Sequence, residues 1–111
     1  MYIDEPINVS NAAFERVVLQ AKLPVIVDFW SPTCVPCQMM APVIKTIAKE
    51  FGGKVLVAKV NIEDYPQLAQ QYHIMGVPTT IFFMNGKELA RETGSLTESF
   101  LRQKIKQVFH L

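Results

Sequence analysis

Two cysteines, Cys34 and Cys37, stand three residues apart in the run Cys34-Val35-Pro36-Cys37, and the chain has no others. On a helix this spacing puts both side chains on one face, with Cα atoms about 5 to 6 Å apart, inside the range a disulfide tolerates. Such a pair can close and open with little backbone movement. Its natural chemistry is thiol–disulfide exchange, in which a thiolate attacks a disulfide sulfur and a second thiol resolves the mixed disulfide. Cys34 follows an apolar strand pattern and opens a helix, where unpaired amides at the positive end of the helix dipole favour a thiolate. Cys37 falls deeper on the apolar face. Cys34 is therefore expected to attack and Cys37 to resolve. Zinc is disfavoured, because it takes about four ligands, and His73 and His110 stand alone in unsuitable surroundings. A purely structural disulfide across so short a loop would restrict the unfolded chain by only about 2 kcal/mol.

The elements that must hold this pair can be read from the rest of the chain. Its 111 residues are 50% hydrophobic and 19% charged, as expected of one globular domain over residues 1–111 with a core that needs no metal staple. Lys and Arg number 11 against 10 Asp and Glu, a balance unsuited to a phosphate backbone, so nucleic acid is not an expected partner. No apolar run approaches the roughly 18 residues of a membrane span. The acidic start Met1-Tyr2-Ile3-Asp4-Glu5-Pro6 is unlike a signal peptide, and the expectation is a cytoplasmic protein that engages no membrane.

Ser10-Asn11 can cap a helix carrying Phe14, Val17, Val18 and Ala21 at helical spacing, which Lys22-Leu23-Pro24 then breaks. Val25–Trp30 reads as a central strand buried on both faces, in which Asp28 is out of place. A helix from Cys34 to Phe51 buries Cys37, Met40, Ala41, Ile44, Ala48 and Phe51, carries Pro42 inside it and ends at Gly52-Gly53. Met39 and Met40 read as core packing. Val55 to Val60 is a second buried strand, and Asp64-Tyr65-Pro66 begins a short helix. Asn85-Gly86 joins strands Thr79–Met84 and Lys87–Thr93 as a type I′ hairpin, with Phe82 and Phe83 on alternate faces. Thr97 can cap a last helix with Phe100, Leu101, Ile105 and Val108 towards the core. A weak edge strand is expected near Tyr2-Ile3. The order predicts an α/β fold with a mixed sheet covered by helices on both faces.

The string from Val27 to Pro42, VDFWSPTCVPCQMMAP, then Lys59-Val60-Asn61-Ile62-Glu63, Gly76-Val77-Pro78-Thr79, Asn85-Gly86 and Gly94 together resemble the thioredoxin family, in order and spacing over nearly the whole chain. The resemblance implies a five-stranded mixed sheet with four helices and protein-disulfide reductase activity. It implies that Cys34 and Cys37 are the redox pair, that Asp28 is the buried carboxylate beneath them with Lys59 as its neighbour, and that Pro78 is a cis-proline opposite the disulfide. Burial should raise the Asp28 pKa towards neutrality, so that the carboxylate can accept a proton from Cys37. An ion pair of Asp28 with Lys59 is compatible with that role. Trp30, Thr33, Val35, Pro36, Met75, Gly76, Val77, Pro78 and Gly94 would surround a groove in which the Val77 backbone pairs with an extended substrate segment. The implied partners are disulfide-containing client proteins and a thioredoxin reductase. The protein is expected to be a monomer with no cofactor beyond the Cys34–Cys37 disulfide.

Three positions depart from the family's common W-C-G-P-C-K pattern: Thr33 replaces Trp, Val35 replaces Gly and Gln38 replaces Lys. Thr33 can cap the helix and occupy an amide that would otherwise serve the Cys34 thiolate. Val35 and Gln38 leave open an alternative reading, that of an oxidant or isomerase, which requires a higher potential. A non-redox subunit that docks partners at Trp30, Val77 and Pro78 is a third reading, against which the intact Cys34, Cys37 and Asp28 argue.

Overall fold

A computed structural model describes residues 2–111. Its strands are β1 (Ile7–Asn8), β2 (Val25–Trp30), β3 (Leu56–Asn61), β4 (Thr79–Met84) and β5 (Lys87–Thr93). Its helices are α1 (Asn11–Phe14), which continues as a π-helical turn over Glu15–Leu19, α2 (Val35–Glu50), α3 (Pro66–Gln71) and α4 (Glu98–Phe109). The strands form one sheet in the order β1-β3-β2-β4-β5. β3 runs parallel to β1 and β2, and β4 runs antiparallel to β2 and β5. This is the mixed, helix-covered sheet of a thioredoxin fold.

The sequence of β2 suits its central position. Val25 to Phe29 are all buried, as a strand covered on both faces requires. Val25, Val27 and Phe29 pack with Phe14, Val18, Val60 and Phe83 on one face, and Ile26 packs with Met40, Ile44, Phe82, Leu101 and Ile105 on the other. Alternation therefore puts Asp28 on the face that α2 and α4 cover. The tight hairpin is made possible by Asn85 and Gly86, whose φ angles of 53° and 77° meet the positive values that a type I′ turn demands.

Four expectations need correction. The edge strand lies at Ile7–Asn8 and not at Tyr2-Ile3, because Ile7 is the residue that finds a partner, Ala58, in β3. The first helix ends at Leu19 in a π turn, short of Ala21. Met40 is core, but Met39 is 70% exposed. Phe100, despite its helical spacing, is 43% exposed, while Leu101 and Ile105 of the same helix are buried.

Candidate active site

The end of β2 delivers the chain into a turn at Ser31-Pro32-Thr33-Cys34, closed by the Cys34 N–H donating to the Ser31 carbonyl at 3.2 Å. Pro32 holds the position in such a turn where its fixed φ is favourable. Cys34 is then the N-cap of α2, and its Sγ accepts the Cys37 N–H at 3.1 Å. The expectation that Thr33 caps this helix is not met. Its hydroxyl donates to Glu63 Oε2 at 3.1 Å and lies 3.0 Å from Ser31 Oγ, leaving the helix amide to the cysteine sulfur. Gln38 turns back, and its Nε2 donates to the Pro32 carbonyl at 2.9 Å.

Cys34 and Cys37 are joined as a disulfide with a Cα–Cα distance of 5.2 Å. The two sulfurs are not equivalent. Cys34 is half-buried, whereas Cys37 is 4% exposed. The Cys34 Sγ also lies 3.7 Å from the Val77 carbonyl oxygen, so the loop before β4 stands directly against it. The Val77–Pro78 bond is cis. That loop is tied down by the Thr79 hydroxyl donating to the Gly76 carbonyl at 2.6 Å and by the Gly94 N–H donating to the Pro78 carbonyl at 2.8 Å. Thr79 is a positioning contact that the sequence reading did not single out. Around the sulfurs, Val35, Pro36, Met75 and Gly76 are exposed, with Met75 at 95%. A Cβ added at Gly76 or Gly94 would meet nothing within 4 Å, so the rim is open at both glycines.

Asp28 is 2% exposed and its Oδ1 has no hydrogen-bond partner. Burial raises its pKa to about 6, against a smaller opposing pull from the Lys59 charge. Lys59 pairs in register with Asp28 across β2 and β3, but no ion pair forms between them. The Lys59 ammonium lies instead 4.7 Å from the centre of the Trp30 ring, a cation–π arrangement. On the other side of Asp28, its register partner in β4 is Thr80, also fully buried and with an unpartnered hydroxyl. Sequence patterning could not bring Thr80 forward, because only strand register places it there. A cleft of about 400 Å³ beside Trp30 and Lys59, lined also by Asn8, Asn61, Asp64 and Tyr65, reaches neither cysteine. Among the described residues no group of three His, Cys, Asp or Glu side chains could hold a metal ion, and no helix is long and apolar enough to cross a membrane.

A half-buried sulfur at a helix N-cap, a buried second sulfur and a buried carboxylate make an arrangement suited to dithiol–disulfide exchange, and the comparisons with known proteins agree. The thioredoxin family model matches residues 5–107. The chain is 39% identical over 105 residues to a chloroplastic M-type thioredoxin of Spinacia oleracea, covering 95% of this chain and 58% of that protein. It is 39% identical to thioredoxin 1 of a Nostoc species, covering 89% of this chain and 92% of the relative. It is 36% identical to the thioredoxin of Haemophilus influenzae, covering 95% and 98%. The chain belongs to the thioredoxin family, and the reaction of its cysteine pair is thiol–disulfide exchange.

Proposed function

We propose that this chain reduces disulfides of client proteins as a monomeric single domain over residues 1–111 in the cytoplasm, and is itself returned to the dithiol by a thioredoxin reductase. It needs no metal or bound cofactor for this cycle. The observation that carries the reading is the asymmetry of the pair: Cys34 half-buried at a helix N-cap and Cys37 almost fully buried.

The Cys34 thiolate, stabilised by the Cys37 N–H and the helix N-terminus, attacks one sulfur of a client disulfide. One client sulfur leaves as a thiolate and is protonated, and the other is held in a mixed disulfide with Cys34. Cys37 then gives up its proton to Asp28, attacks the Cys34 sulfur, and releases the second client thiolate. The client gains two electrons and the pair loses two, ending in the Cys34–Cys37 disulfide. A carboxylate with a pKa of about 6 is ionised yet still basic near neutral pH, which suits the proton acceptor for a buried thiol. Its placement on the sheet face under α2, the helix whose first turn carries Cys37, supports that role, and Lys59 favours its ionised form. Trp30, Thr33, Val35, Pro36, Met75, Gly76, Val77, Pro78 and Gly94 form the groove that receives the client segment, and the backbone of Val77, beside the Cys34 sulfur, aligns it.

Cys34→Ser is expected to abolish dithiothreitol-driven reduction of insulin. Cys37→Ser should accumulate a mixed disulfide on Cys34, identified by peptide mapping. Recovery of the adduct on Cys37 of the Cys34→Ser protein would reverse the roles.

A further inference from the structure

Glu63 lies outside the redox motif and 26 residues beyond Cys37 in sequence, yet its carboxylate meets the turn that leads into Cys34. The Ser31 hydroxyl donates to Glu63 Oε2 at 2.6 Å, and the Thr33 hydroxyl reaches the same oxygen at 3.1 Å. Ser31 is buried. Each hydroxyl has one proton to give. The short bond to the carboxylate uses that of Ser31, so Ser31 Oγ is left as acceptor for the Thr33 N–H at 3.3 Å and for a share of the Thr33 hydroxyl at 3.0 Å. The network therefore converges on one carboxylate oxygen.

Its location follows from the sheet. Trp30 and Asn61 are register partners at the ends of β2 and β3, and the Ile62 N–H still donates to the Trp30 carbonyl at 2.9 Å. Glu63 is then fixed by its own N–H donating to Asn61 Oδ1 at 2.9 Å. The two strands end side by side, and their outgoing loops are joined by side chains where the ladder stops. The Ser31 carbonyl is also the acceptor of the Cys34 N–H, so whatever holds Ser31 holds the residue that caps α2.

We propose that Glu63, acting through Ser31 and Thr33, is a positioning residue for the redox pair: it sets the turn from which the Cys34 sulfur accepts the Cys37 amide, and so tunes the Cys34 thiolate. This also gives Thr33, which stands where the family commonly has Trp, a task that Trp could not perform through a hydroxyl. The proposal rests on the reading of Cys34 as the attacking sulfur.

Two opposed effects must be separated. A carboxylate near a thiolate disfavours it by like-charge repulsion, whereas a well-held cap favours it. Glu63→Gln removes the charge but keeps an acceptor oxygen, and Glu63→Ala removes both. The measurement is the rate of iodoacetamide alkylation of the reduced protein against pH, with peptide mapping to show which cysteine reacts. Glu63→Gln is expected to leave the Cys34 pKa unchanged or slightly lowered. Glu63→Ala should raise it above that of Glu63→Gln by about half a unit or more, a differential interaction of about 0.7 kcal/mol. Thr33→Val should raise it in the wild-type background and have little further effect with Glu63→Ala, because contacts in one network are not additive. Coincident profiles for Glu63→Gln and Glu63→Ala, or full additivity of Thr33→Val with Glu63→Ala, would overturn the proposal. First alkylation at Cys37 in the wild-type protein would instead overturn the assignment of the nucleophile. Circular dichroism of each variant in the oxidised state shows whether it is folded, and should Glu63→Ala not fold, Thr33→Val compared with wild type decides by the same shift.

Discussion

Asp28→Asn isolates the energetic consequence of burying a carboxyl group in the central strand. Burial raises the Asp28 pKa from its ordinary 3.8 in the unfolded chain to about 6 in the folded protein. A folded-state pKa above the unfolded one means that the native protein binds the proton more tightly, so this group favours folding below pH 4. That contribution is lost as the pH rises through about 6. A difference of roughly two units corresponds to about 3 kcal/mol. Wild type should therefore lose most of that, about 2.5 kcal/mol, relative to Asp28→Asn between pH 4 and pH 7, with no further divergence above. For a domain of this size that is about 10–20 °C in Tm. The amide of Asn adds its own desolvation, but that offset does not vary with pH and drops out of the comparison. The oxidised protein is the right sample, since disulfide-bonded cysteines do not titrate. The carboxylates held below their usual range by Arg partners, Glu50 and Glu88, are common to both proteins and cancel. Urea unfolding at half-unit pH intervals gives the curve. A wild-type-minus-variant difference constant within about 1 kcal/mol from pH 4 to 8 would refute the argument that burial dominates at Asp28. In the reduced protein the same variant should slow resolution of the mixed disulfide near neutral pH and spare the first attack, which rapid mixing separates.

Thr80→Val removes a buried hydroxyl without a partner at nearly constant volume, and is expected to stabilise the oxidised protein by about 1–2 kcal/mol in urea unfolding. Destabilisation would mean that this hydroxyl serves Asp28 across the β2–β4 pairing. Gln38→Lys exchanges the amide that donates to the Pro32 carbonyl for a mobile charge one helical turn from Cys34. At roughly 6 Å the Coulomb energy in water is about 0.7 kcal/mol, so the Cys34 pKa should fall by about half a unit or less. Thiolate absorbance against pH at two ionic strengths tests this, with a larger shift expected at low salt.

What could be read from the sequence and what could not divide along a physical line. Val25–Trp30, Asn85-Gly86 and the Cys34-x-x-Cys37 helix start are local: side-chain branching, positive φ and cap chemistry act within a few residues, and each appears where patterning puts it. The misplacements are tertiary. Ile7 becomes an edge strand because β3 is there to receive it, and Thr33 forgoes the cap because Glu63, distant in sequence, offers a charged acceptor. Phe100 has the right period, yet the neighbouring Leu101 and Ile105 occupy the face that meets α2. Asp28 was recognisable as an anomaly in an apolar run, while its neighbours Lys59 and Thr80 are adjacent only through register. Lys59 came forward through the family resemblance, and Thr80 had no such signal.

The open rim around the sulfurs has a consequence for how such a protein can diversify. Val35 and Met75 are both largely exposed and belong to neither of the two packed clusters that flank the sheet. Substitutions at such positions typically change stability by no more than about 0.5 kcal/mol. If these side chains meet the client as proposed, part of recognition is carried by residues on which folding does not depend. On that reading client preference could drift at the rim by single substitutions, each nearly silent to folding, while the strand that holds Asp28 stays unchanged beneath it.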